Sequence, residues 1–225
     1  KECIRQICST FIGISRQNEA GIIEDLDTEF LHDYRVGFRK VRSALSLFKG
    51  VLEPEDNTRI NAEFSSIMKE TNRLRDLDVY LLEKDYYFGL ISEEMHQGLN
   101  SLFSLFEKER AEELERVRSI LQSDAYKSRI EQLHDLFLDN GNMRDGPQAD
   151  QPVYQFSSRL ILKRYRKVCQ IASTIDDSTP DETVHSLRIQ CKKLRYLMEF
   201  FRPIYPHKTM KKTLKSLKIL QDNLG

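Results

Sequence analysis

One eighteen-residue pattern occurs twice in this chain, and it restricts the fold more than anything else in the sequence. Residues 31–48, LHDYRVGFRKVRSALSLF, align without a gap on residues 184–201, VHSLRIQCKKLRYLMEFF, at an offset of 153. His32 coincides with His185, Arg35 with Arg188, Lys40 with Lys193, Arg42 with Arg195 and Phe48 with Phe201, while Arg39 against Lys192 and Val36 against Ile189 keep the chemistry. In the first copy Leu31, Tyr34, Phe38, Val41, Leu45 and Phe48 step by three and four; Val184, Leu187, Cys191, Leu194, Met198 and Phe201 do the same in the second. That spacing places each set along one side of an α-helix, as a seam for a bundle core.

The same periodicity, without sustained β-type alternation, predicts helices over 28–49, 54–87, 90–121, 124–139, 153–175, 181–201 and 207–224. Gly50 and Pro54 punctuate the end of the first. Residues 139–152, DNGNMRDGPQADQP, collect turn formers with almost no apolar content, so 140–151 is the expected linker between an N-terminal helical bundle, 28–139, and a C-terminal one, 152–225. Only nine Gly and six Pro interrupt the chain, and its 31% of charged residues suits long, solvent-facing helices.

No segment approaches the roughly 20 apolar residues of a membrane-spanning helix; the longest run free of Asp, Glu, Lys and Arg is Met95 to Phe106. Cys3, Cys8, Cys169 and Cys191 have neither disulfide-framework nor zinc-site spacing, which points to a reducing, cytoplasmic setting without a structural metal. The chain begins at Lys1 with no basic leader and apolar stretch, and reads as a fragment rather than a secreted precursor.

Charge is balanced overall, 35 basic against 35 acidic residues, but not locally. Residues 159–218 hold fifteen Lys or Arg against five Asp or Glu, a net of +10 that the rest of the chain offsets. Glu107, Glu109, Glu112, Glu113 and Glu115 crowd one acidic stretch, the expected outer face of a solvated helix.

The basic residues fall in rows. His32, Arg35, Arg39 and Arg42 follow their apolar seam by one residue, as do His185, Arg188, Lys192 and Arg195. One residue is about 100° of rotation, so each row runs along the flank of a buried face, beside Lys40 and Lys193. Cations three or four apart repel by roughly 0.2–0.5 kcal/mol per pair, so something negative is expected against them. Either carboxylates of neighbouring helices, such as Glu70, Asp76 and Asp78, neutralise the rows, or a ligand does. Lys163 lies among Arg159, Arg164, Arg166 and Lys167 ahead of the second motif, and Lys208, Lys211, Lys215 and Lys218 form a further row behind it. Such rows either line a basic groove or simply keep a surface soluble.

These motifs resemble the CHAD family, the conserved-histidine α-helical domain. HDYRVGFRKVRSALSLF looks like its first histidine motif, LRDLDVYLL like its R-D-x-D-V segment, HSLRIQCKKLRYLMEFF like its second histidine motif and LKILQDNLG like the start of its closing signature, over about residues 28–225. The resemblance implies an all-α fold of two pseudo-symmetric antiparallel four-helix bundles around a central basic groove, the second short of a helix because the chain stops at Gly225 inside that signature. It also implies that inorganic polyphosphate is the partner, held non-catalytically by His32, Arg35, Arg39, Lys40, Arg42, His185, Arg188, Lys192, Lys193 and Arg195. Lys163, Lys211, Lys215 and Lys218 are expected to extend that surface, with no cofactor and with an association with polyphosphate granules.

Two other readings stay open. A phosphotransfer or polyphosphate-hydrolysing enzyme could use His32 or His185, although Asp76 and Asp78 diverge on a helix as a magnesium pair and no P-loop, nucleophile elbow or H-E-x-x-H motif is present. Other phosphate polyanions, nucleic acids included, would suit the same rows, but Tyr34 and Phe38 belong to the seam and leave Tyr196 as the sole stacking platform, too few for base recognition.

Overall fold

The computed structural model describes residues 1–138 and 143–224. They form eleven α-helices with no strand: α1 Glu2–Gln17, α2 Glu19–Ile23, α3 Thr28–Leu47, α4 Pro54–Lys69, α5 Asn72–Leu82, α6 Lys84–Gly89, α7 His96–Gln122, α8 Asp124–Leu138, α9 Val153–Ala172, α10 Asp181–Phe200 and α11 His207–Asn223. Short 3-10 turns precede α7 and α11. The fold is all-α, as the periodicity requires, and no described helix is long and apolar enough to cross a membrane. All four cysteines are free thiols.

Two compact units make up the chain, each from discontinuous segments. One comprises Lys1–Ile7, Ser43–Pro54 and Arg144–Gly225; the other comprises Cys8–Arg42 and Glu55–Met143. The expected linker does not hang free in its described part, while 140–142 lie outside the described residues. Glu53 N–H donates to Arg144, Gly146 N–H to Val51 and Gln148 N–H to Gly50, and Leu52 and Asp145 form an isolated antiparallel bridge. Turn-forming composition therefore marks a segment that pairs its backbone with the residues after α3. Gly50 makes this possible with a φ of +80°, a left-handed conformation that favours glycine at a helix end.

Both seams are buried, except that Val184 at the start of the second is half-buried. Leu31, Tyr34, Phe38, Val41, Leu45 and Phe48 are at most 3% exposed. In the unit that holds the C-terminal helices, Leu187, Cys191, Leu194 and Met198 of α10 pack with Val168 of α9 and Met210 and Leu217 of α11, and Phe48 meets Phe201 edge-on with ring centres 5.0 Å apart. In the other unit the edge of Tyr34 meets the face of Phe38 at 4.7 Å, and Phe38 packs on Phe64 of α4. Burying such side chains stabilises a fold by about 1.5–3 kcal/mol each.

Two departures from the expected helices bear on the site. The predicted helix 54–87 is three helices, broken at Glu70–Thr71 and at Glu83. Ahead of α3, where periodicity predicts nothing, α1 buries Ile4, Cys8, Ile12 and Ser15. Two of those four are small or polar, which dilutes the apolar signal. The predicted 124–139 helix ends its described course at Leu138, and Asp139 lies outside the described residues.

Candidate polyanion-binding surface

Helix α3 carries the first basic row, and the structure meets it with neutral oxygens rather than carboxylates. Arg35 Nη1 donates to the Met68 carbonyl at 2.9 Å and to Thr71 Oγ1 at 2.6 Å, and its Nη2 donates to Asn72 Oδ1 at 2.8 Å. These acceptors are the C-terminal end of α4 and the start of α5. A helix leaves its last carbonyls without intrahelical partners, and here Arg35 serves one of them, while the buried Thr71 hydroxyl donates back to the same Met68 carbonyl. This is why the predicted single helix breaks at Glu70–Thr71. Burial pulls the Arg35 guanidinium below its ordinary pKa, with Arg39 next in effect. Arg42 Nε donates to Asn61 Oδ1 at 3.1 Å, and Lys40 Nζ lies over the Phe11 ring at 4.8 Å.

Neutral acceptors satisfy a guanidinium's hydrogen bonds without cancelling its charge, so α3 keeps a positive flank. Of the carboxylates considered from the sequence, Asp76 acts on Arg35 only through its charge, and the other two go elsewhere. Glu70 pairs with Arg116 at 3.0 Å, and Asp78 receives Arg110 Nε at 2.8 Å. Burial holds the Asp78 carboxyl above the usual carboxylate range despite that partner.

His32 Nδ1 lies 3.0 Å from Arg75 Nη2. A guanidinium only donates, so Nδ1 accepts and the neutral ring carries its proton on Nε2. Burial, followed by the Arg75 charge, lowers the His32 pKa from its ordinary 6.5. Glu29, His32 and Asp33 bring possible metal ligands within 4.8 Å of one another. In this arrangement the Nδ1 lone pair of His32 is engaged by Arg75.

The second row is built differently, although it derives from the same motif. His185 is exposed on α10. Arg188, the counterpart of Arg35, has no hydrogen bond or ion pair among the described residues, and its buried Nε–H lacks an acceptor. Arg39 of α3 shares that condition. Arg195 pairs with Glu199 at 3.2 Å and lies over the Tyr196 ring; Lys192 also has an interaction, whereas Lys193 has none among the described residues. Lys163 of α9 and Lys211, Lys215 and Lys218 of α11 are exposed and likewise without a partner there. Helix α10 packs against both α9 and α11, so these cations share one unit. Lys211, Lys215 and Lys218 each follow an inward residue of α11 by one position, after Met210, Leu214 and Leu217.

The acidic stretch is fully engaged. Glu107 meets Lys84, Glu109 meets Arg73 at 2.5 Å, Glu112 meets Lys108, and Glu113 and Glu115 meet Arg116 and Arg118. Sequence reasoning missed the residues that hold the first motif: Asn61, Met68, Thr71, Asn72 and Arg75. Arg75 stood in the quoted R-D-x-D-V segment, beside the two aspartates that drew attention instead.

Of the two histidine helices, α3 is braced by a neighbouring helix break and α10 carries open cations. The family model of the CHAD domain matches residues 9–225. The chain belongs to the CHAD family. The crystal structure of the CHAD domain from the plant Ricinus communis superposes with a TM-score of 0.80 at 28% identity, covering 100% of this chain and 73% of that one. PptA from Streptomyces chartreusis gives a TM-score of 0.51 at 15% identity over 94% of this chain and 80% of that one, a likeness of fold alone. No curated protein matches the chain.

Proposed function

We propose that this CHAD protein is a non-catalytic module that binds inorganic polyphosphate in the cytoplasm, by charge neutralisation along its basic helices. The observation that carries the reading is the contrast between paired and unpaired charge. Around α5 and α7 the arginines mostly have carboxylate partners, whereas on α9, α10 and α11 Lys163, Arg188, Lys193, Lys211, Lys215 and Lys218 have none among the described residues. Unpaired Lys and Arg at helical spacing suit a linear chain of phosphates, Lys as point charges and Arg as forked donors. The two motifs then have unequal roles. In one unit Arg188 and the lysines of α9 and α11 contact phosphate directly; in the other, α3 carries Arg39 on a positive flank of its own, whose geometry Arg35 and His32 maintain. The engagement of His32 Nδ1 by Arg75 supports a non-catalytic role.

Calorimetric titration with length-defined polyphosphate tests this. Wild type should bind tightly, and a Lys163→Glu, Arg188→Glu, Lys211→Glu, Lys215→Glu variant of unchanged helicity should bind at least roughly tenfold more weakly. Equal binding by that variant, or none by a folded wild type, would overturn the reading. Single-stranded DNA competing at equal phosphate concentration would move it to general polyanion binding, and phosphate released in the presence of magnesium would make the protein an enzyme.

A further inference from the structure

The unit whose arginines mostly meet carboxylates also exposes an apolar surface that polyphosphate binding does not use. Helix α6 has no buried residue, nor has the 3-10 turn Glu93–Met95. Around them Leu82, Tyr86, Leu90, Met95 and Leu105 are each 61–63% exposed. Ring contacts join the aromatic part of this surface: Tyr86 on Tyr87 at 5.7 Å, Tyr87 on Tyr80 at 6.3 Å, Tyr80 on Phe106 at 5.4 Å and Phe106 on the buried Phe103 at 5.8 Å. Single exposed apolar side chains are ordinary, but a contiguous aromatic patch marks an interaction surface, and tyrosines are enriched among the residues that dominate binding.

The charges at this patch identify its partner. Glu83, Asp85, Glu93 and Glu94 are exposed and have no side-chain partner among the described residues. The nearby Lys84 is occupied, 3.3 Å from Glu107 and 5.4 Å above the Phe103 ring. Open carboxylates and exposed aromatic faces both attract cations, and the same carboxylates repel an anionic lipid surface. From this juxtaposition we infer that the patch formed by the end of α5, α6 and the start of α7 is a docking site for a basic amphipathic helical segment of a partner protein. The apolar side of that segment lies on Tyr86, Leu90 and Leu105, and its Lys or Arg residues meet Glu83, Asp85, Glu93 and Glu94.

The probe is a fluorescent peptide of about 18 residues, five turns of helix, made of Leu and Lys with Leu at three- and four-residue spacing. It is titrated against the full chain by anisotropy. Saturable micromolar binding is expected, at least roughly tenfold weaker for Tyr86→Ser/Leu90→Ser and for Glu93→Lys/Glu94→Lys. A peptide with the same residues in scrambled order, and its Leu/Glu counterpart, should not bind. The substituted side chains are exposed, and helicity confirms the fold; Leu105→Ser replaces any variant that unfolds. Binding that ignores the scramble or survives both variants would overturn the proposal. So would self-association of the chain in sedimentation that Tyr86→Ser/Leu90→Ser abolishes, because the occupant would then be a second copy.

Discussion

Arg35 and Arg188 occupy the same place in the repeated motif, yet their surroundings assign them opposite work. Three neutral acceptors hold Arg35 across the α4–α5 break, while Arg188 buries an Nε–H with nothing to receive it. Hydrogen bonds from a charged group are worth about 1.5–3 kcal/mol, and orphaning a buried acceptor carries its own desolvation penalty. Arg35→Met should therefore destabilise the fold by about 2–3 kcal/mol, whereas Arg188→Met should stay within about 0.5 kcal/mol of wild type. Urea denaturation of the two variants decides the point: equal stabilities would mean that Arg35 does not brace the break. The row spacing was legible in the sequence because it depends only on helical pitch. Which member of a row is consumed internally was not, because the acceptors lie 33–37 residues away along the chain.

Among the helices, α1 is the long element that periodicity missed, and Gly37 is the residue that could have announced it. At the corresponding position of the second motif stands Gln190, whose side chain receives Arg164. On α3 a Cβ at residue 37 would fall on Ser15 Oγ and the Phe11 carbonyl of α1, where Ser15 Oγ donates to the Tyr34 carbonyl at 2.9 Å. The bare backbone of α3 thus lets α1 approach closely. Gly37→Ala should cost about 1–3 kcal/mol by overpacking, while Gly13→Ala, with nothing within 4 Å of the new methyl, should stabilise α1 by about 0.5–1 kcal/mol. Thermal melts of the two variants that moved in the same direction would contradict this packing. A glycine inside an otherwise large-residue helical motif is a legible signal of close approach; the identity of the approaching helix is not.

For the molecule as a whole, the decisive property is how a zero net charge is distributed. One unit pairs most of its arginines with carboxylates, and the other leaves several lysines open, so ligand binding should behave as counterion exchange. A plot of log affinity for polyphosphate against log salt should fall linearly, and neutralising one open lysine, as in Lys215→Ala, should reduce the slope by roughly 0.7–0.9, by analogy with nucleic acids. A flat plot would argue against charge neutralisation as the source of affinity. The sequence alone determined the all-α class, the two buried seams and the cationic rows, because helical pitch converts residue spacing directly into faces. It also determined the segregation of charge, which is a matter of composition along the chain. Only the tertiary structure decided that the chain forms two units from interleaved segments, that 54–87 breaks where Arg35 reaches Met68, and that the acidic stretch is matched pair by pair. Those outcomes depend on contacts between residues far apart in sequence, where hydrogen-bond geometry rather than local spacing sets which charges are satisfied and which remain open.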